Sequence, residues 1–245
     1  MSHIKATTQR VLKQLSHDKR TIALVLIVPC GLLVILKFVY NKSNSSEFNQ
    51  VAPMLLAIFP LILMFVVTSV TTLRERQSGT LERQLTMPIS KAALVGGYAI
   101  AFTVVAIAQA ALATLTVTVA LGVKVSAGVI PILIIAALSG FLGNALGLLA
   151  SAFAKSEFQA VQFLPAIIFP QLLTCGLFVP RGQMARPLQI FADIAPLTYC
   201  VDAMVRVSSV NHWSSNLIKD TVIIFGASLL ALGLAATTIK RSVKI

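Results

Sequence analysis

The chain has 245 residues and a formal net charge of +12, yet only 11% of its side chains are charged while 57% are hydrophobic. A soluble domain carries about 25% charged residues, so this composition excludes an ordinary globular enzyme and leaves little chain outside a membrane. The basic balance first suggests nucleic acid, but the placement of the charges follows membrane topology instead.

About 20 apolar residues cross the hydrocarbon core as a helix. Six such segments are readable, at 21–40, 51–73, 92–121, 128–153, 160–179 and 220–239. They predict an all-α membrane protein of six transmembrane helices in a single domain, 1–245. With the N-terminus inside, thirteen Lys and Arg residues fall on inner segments (5–20, 74–91, Lys155 and 240–244) and seven on outer ones. The positive-inside rule then predicts cytoplasmic N- and C-termini.

Residues 1–20 place Ile4, Val11, Leu12 and Leu15 against Lys5, Gln9, Arg10, Lys13 and Gln14. This is the pattern of an amphipathic interface helix along the inner leaflet; the alternative is an unstructured basic tail. The basic start and residues 21–36 resemble a signal peptide, but no small-residue cleavage site follows, so we read a retained first span. Residues 41–50 form a polar outer loop. Pro60 predicts a kink near the middle of the second span, bordering a cavity or simply packed.

Residues 74–90 break the apolar pattern. Gly79 allows a tight turn, Thr80 is a candidate cap, Leu81 and Leu85 share a face, and Pro88 ends the segment. This predicts a short amphipathic cytoplasmic helix, with an ordinary basic loop as the alternative. Ser90 is a candidate N-cap for the third span. In the fourth span, Ser139, Gly143, Gly147 and Ser151 recur every four residues, a stripe that lets helix backbones approach. It packs on another span of the same chain or forms a dimer seam.

The fifth span contains Pro165, Pro170, Gln162 and Gln171. Residues 180–218 are broken by Pro180, Gly182, Pro187 and Pro196, while Leu188, Phe191 and Ile194 recur at three-residue spacing. We read short outer helices over 180–218 that dip into the outer leaflet as re-entrant segments or lie on it. Cys30, Cys175 and Cys200 show no metal-binding spacing. They are expected to be free thiols, with a Cys175–Cys200 disulfide as the alternative. We expect no metal site.

The sequence contains no phosphate-binding glycine loop, zinc-protease motif or nucleophile elbow. Its eight acids fall in expected loops, surface segments or span ends, which weakens a proton-coupled carrier. No charged ring or filter-like sequence supports a channel. Energy for transport would then come from outside this chain.

The stretch from Arg74 to Pro88 resembles the hallmark of ABC-2 type transporter permeases, the membrane subunits of bacterial ABC exporters. The segment from Pro196 through Tyr199 and Asp202 to Arg206 resembles the motif before that family's last span. The resemblance implies a homo- or heterodimer of six-span permeases joined to separate ABC ATPase subunits. Those partners would bind ATP and Mg; this chain would hold no cofactor, hydrolyse nothing and contact membrane lipid but no nucleic acid. Residues 74–90 would be the coupling helix, with Glu75, Gly79, Thr80, Leu81, Glu82, Arg83, Leu85 and Pro88 at the ATPase. The outer lid would use Pro187, Leu188, Phe191, Pro196, Tyr199 and Asp202.

The resemblance also implies that the second and fifth spans line the substrate path. There Phe59, Phe65, Phe163 and Phe169 suit a hydrophobic or amphiphilic ligand (drug, antibiotic, lipid or peptide) and suit lipid contact equally. The expected location is a bacterial plasma membrane. The competing readings are a non-transporting membrane scaffold or assembly factor of the same fold and, third, the proton-coupled carrier.

Overall fold

The computed structural model describes residues 3–40, 45–80, 84, 90–123, 125–209 and 214–238. Among them every regular element is helical: α1 (His3–His17), α2 (Lys19–Tyr40), α3 (Ser45–Gln77), α4 (Lys91–Leu115), α5 (Val129–Phe153), α6 (Glu157–Thr174), α7 (Arg186–Ile194), α8 (Pro196–Ser209) and α9 (Ser215–Thr238). A π-helical turn, Thr116–Ala120, extends α4, and a short 3-10 turn, Arg181–Gln183, precedes α7. Side chains start several of these helices. Ser90 accepts from the Ala93 amide at 3.1 Å, Ser156 from Gln159 at 3.2 Å and Ser214 from Leu217 at 3.3 Å. Asp18 accepts from the hydroxyl and amide of Thr21 ahead of α2, and those bonds hold its carboxyl below the usual carboxylate range.

Among the described residues five helices are long and apolar enough to cross a membrane: α2, α3, α4 with its π extension, α5 and α9. The expected fifth span, 160–179, is corrected to an 18-residue helix ending at Thr174. At 1.5 Å per residue it reaches only about 27 Å, and Gln159, Gln162 and Gln171 dilute its apolar run. The pair α7–α8 is bent by 84° and is a broken span or a re-entrant loop, matching the short helices expected in the 180–218 segment. Two boundaries also shift. The expected outer loop at 41–50 is helical from Ser45, and α3 runs past Leu73 to Gln77.

The centre is the packing of α5 on α3. A Cβ added at Gly143 would lie 2.1 Å from the Leu61 carbonyl oxygen, and one at Gly147 2.6 Å from that of Phe65. The small stripe of α5 therefore seats one backbone on another within this chain, with Ser139 and Ser151 also buried. Across the same seam, Ala106 of α4 and Pro60 of α3 meet at Gly140. Helices α2 and α9 lie at the periphery and leave Leu24, Ile27, Phe38, Val222 and Leu230 uncovered.

Helix α1 docks on α4 rather than keeping its apolar stripe free. Thr7, Val11 and Leu15 are buried, and Thr7 packs where Gly97 has no side chain. Ile4 stays exposed.

Candidate functional site

Two polar constellations sit at opposite ends of the bundle. At the end that holds α1, the last turn of α3 contacts a different neighbour with each residue. Arg74 grips Glu157 of α6 with two bonds, Nε–Oε1 at 2.7 Å and Nη2–Oε2 at 2.8 Å. Arg76 donates to the carbonyls of Ser151 (2.7 Å), Ala152 (2.9 Å) and Ala154. These belong to the last turn of α5 and the residue after it, where helix carbonyls lack internal partners and a cation suits the dipole. Gln77 donates to the Lys155 carbonyl at 2.9 Å.

Glu75 points the other way, into the protein, and is 3% exposed. Arg10 of α1 donates to its Oε2 at 2.8 Å, the Tyr98 hydroxyl of α4 donates to the same oxygen, and Arg10 also bonds that hydroxyl at 2.7 Å. The Arg10 guanidinium lies 5.7 Å from the Tyr98 ring centroid. Gln84, with its amide oxygen turned to Arg10, accepts from it at 2.9–3.3 Å. One buried carboxylate thus ties three helices together, because a charge in that setting requires a paired, hydrogen-bonded partner.

Glu75, expected at the ATPase, is buried within the chain and joins the N-terminal helix through Arg10. Tyr98 and Arg76 went unrecognised. The available signal at Tyr98 was a lone hydroxyl early in an apolar span, where a buried tyrosine needs a partner. Among the other expected coupling residues, Gly79 has φ +72° and turns the chain after α3, and Thr80 lies 3.0 Å from the Ser78 hydroxyl. Leu81, Glu82, Arg83, Leu85 and Pro88 lie outside the described residues.

At the opposite end Arg181 ties together α7 and α8, the segment expected to form the outer lid. Its guanidinium bonds Asp193 of α7 at 2.5 Å and Asp202 of α8 at 2.8 Å. Tyr199 donates from its hydroxyl to the Asp193 carbonyl at 2.5 Å. Pro187 stands in the first turn of α7 and Pro196 opens α8. Gln171 of α6 accepts from the Leu197 amide at 3.3 Å and so pins the start of α8. Leu188, Phe191 and Ile194 are left uncovered by the protein. Arg206 pairs with Asp220 at 3.0 Å.

Glu75, in the last turn of α3, and Asp220, in the second turn of α9, lie near span ends as expected, but both are buried. Cys175 and Cys200 are free and buried. Among the described residues no cluster of His, Cys, Asp and Glu suits a metal.

The four phenylalanines expected on a substrate path do not form one surface. Phe65 is fully buried against α5, Phe59 and Phe163 pack partly into the core, and Phe169 faces outward.

Comparison with known proteins fits this architecture. The profile of the ABC-2 type transporter family matches residues 2–207. The chain is similar to ABC transporter G family member 20 of Dictyostelium discoideum, 24% identical over 166 residues, covering 68% of this chain and 23% of that protein. It is similar to G family member 23 of the same organism, 28% identical over 142 residues, covering 58% and 20%. It also resembles the probable multidrug ABC transporter permease YbhR of Escherichia coli K12, 28% identical over 187 residues, covering 70% of this chain and 49% of that one. The matched regions thus span from a fifth to about half of these relatives' lengths. With the family profile extending over most of its length, the chain belongs to the ABC-2 type transporter family.

Proposed function

We propose that this chain is the membrane permease of an ATP-driven exporter. Two copies, or this chain and a close homologue, enclose the path. Separate ABC ATPase subunits bind ATP and Mg and drive it. Both termini face the cytoplasm, and the α7–α8 lid faces outward in a plasma membrane. A bacterial host fits the similarity to the E. coli permease, while the Dictyostelium relatives show that such domains also occur in eukaryotes. The substrate is a hydrophobic or amphiphilic compound, in keeping with the multidrug label of that E. coli relative.

The observation that carries this reading is the wiring of α3 just before the 78–90 segment. Arg74, Arg76 and Gln77 fasten it to the α5–α6 junction, and Glu75 fastens it to α1 and α4. A push delivered to residues 78–90 would reach four helices at once. The close α3–α5 seam would carry it through the membrane as a rigid shift rather than a local bend.

On the lid, the uncovered Leu188, Phe191 and Ile194 suit burial in the outer leaflet. The outward face of α6 carries Gln162, Pro165 and Pro170. Exposed Val161, Ile167, Phe169 and Leu173 stand beside them, and a face so mixed suits an amphiphilic ligand, so we assign it to the path shared with the second subunit.

Reconstitution tests the proposal. ATP hydrolysis should be absent from the pure chain and appear, stimulated by substrate, with an ABC ATPase subunit expressed alongside it. A stable complex with the ATPase that never transports would favour the scaffold reading.

A further inference from the structure

Beneath the α7–α8 elbow a cavity of about 370 Å³ opens between α3, the turn after α6 and α8. Met54, Val201 and Val205 give it an apolar floor, and Arg181, Asp202 and Arg206 a charged rim. A second cleft of about 370 Å³ shares Met54 and Val205 and continues past Pro53 and Asn49. An apolar trough with a few polar groups at one end, in the size range of small-molecule sites, suits an amphiphile.

The rim charges are unequally matched. Arg206, whose side chain is 40% exposed, lines the cavity and bonds the buried Asp220. Arg181 serves two carboxylates, Asp193 and Asp202. Arg186 is exposed and turned to Gln189 at 3.3 Å, and Lys219 is exposed on α9. Arg181 and Arg206 thus face three carboxylates, Asp193, Asp202 and Asp220, and Asp202 is the one on the cavity wall. A partly buried carboxylate so placed attracts a further cation, because Coulomb attraction is poorly screened there.

We propose that this cleft binds a cationic amphiphile, such as a lipophilic ammonium or phosphonium ion. The ligand's charge replaces Arg181 at Asp202 while its hydrocarbon covers Met54, Val201 and Val205. Arg181 then remains with Asp193 alone, and the tie between α7 and α8 is released. The site rests on the exporter reading above and narrows its substrate class.

The test uses the purified full chain in nanodiscs of zwitterionic lipid, with binding to empty nanodiscs subtracted. Tetraphenylphosphonium is the probe. Tetraphenylborate, of the same shape and opposite charge, is measured separately. The expected result is saturable binding of the phosphonium and none of the borate. Asp202→Asn should weaken phosphonium binding about tenfold, the scale of one partly screened Coulomb attraction, since the probe donates no hydrogen bond. Arg181→Gln, which frees Asp202, should tighten it. Opposite signs in two variants that both break the same ion pair separate ligand recognition from damage to the fold.

Equal binding of the borate, unchanged binding in Asp202→Asn, or equal losses in the two variants would overturn the site. Binding is read without an ATPase, so the two readings fail separately. Phosphonium binding with the predicted signs but no ATP-driven export supports the site and removes the exporter. ATP-driven phosphonium export that Asp202→Asn leaves unchanged does the reverse.

Discussion

Substituting Gly143 by alanine probes the seam on which the architecture depends. The added Cβ would lie 2.1 Å from the Leu61 carbonyl oxygen, 2.7 Å from its Cα and 2.8 Å from its carbonyl carbon. All three are backbone atoms, so no side-chain rotation relieves the clash, and α3 and α5 must separate. Overpacking a close-packed interface costs typically 1–3 kcal/mol, and backbone against backbone belongs at the upper end. At about 2–4 °C per kcal/mol for a chain of this size, the melting temperature should fall by about 6–12 °C. Gly147→Ala, whose Cβ would be 2.6 Å from the Phe65 oxygen and 3.1 Å from the Thr68 Cβ, should fall by less. Gly233→Ala on α9 has nothing within 4 Å, and alanine's better helix propensity should leave stability level or slightly raised. The assay is thermal unfolding of detergent-solubilised protein followed by size-exclusion chromatography. A Gly143→Ala protein that melts with the wild type would refute the close α3–α5 contact.

Tyr98→Phe removes a hydroxyl that serves Glu75 and Arg10, and should cost about 1–3 kcal/mol in the same assay; Arg10→Ala, which leaves a buried carboxylate without its cation, should cost more. Glu157→Ala breaks an ion pair whose side chains are 59% and 44% exposed, and should change stability by less than about 1 kcal/mol. Topology is tested with an impermeant thiol reagent on intact cells: a cysteine at Gln183 should react and one at Ser78 should not, and the reverse pattern would invert the orientation.

The apolar spans were legible because hydropathy over about 20 residues is a local property. The end of α3 was not. Arg74 looked like the close of a span, yet the helix continues because Arg74, Arg76 and Gln77 find partners about 80 residues away. The fifth span extends past Thr174 on hydropathy because Leu177, Phe178 and Val179 prolong the apolar run, whereas the chain leaves the helix before Gly176, whose φ is +95°. The glycine stripe of α5 and the pairing of Glu75 with Arg10 could be anticipated from spacing and charge. Arg181 could not be matched to Asp193 and Asp202, since only the bend between α7 and α8 brings the two acids to one guanidinium. Tyr98 went unseen for the same reason: its partners come from α1 and α3.

The coupling claim is tested most directly by comparing Leu85→Asp with Arg83→Ala in the reconstituted complex, at equal membrane insertion. If residues 78–90 fill an apolar groove on the ATPase, buried anchors carry most of the interface energy and rim charges little. Leu85→Asp should then abolish ATPase binding and substrate-stimulated hydrolysis, while Arg83→Ala keeps most of both. Wild-type binding and hydrolysis in Leu85→Asp would contradict the account and leave the segment a connecting loop.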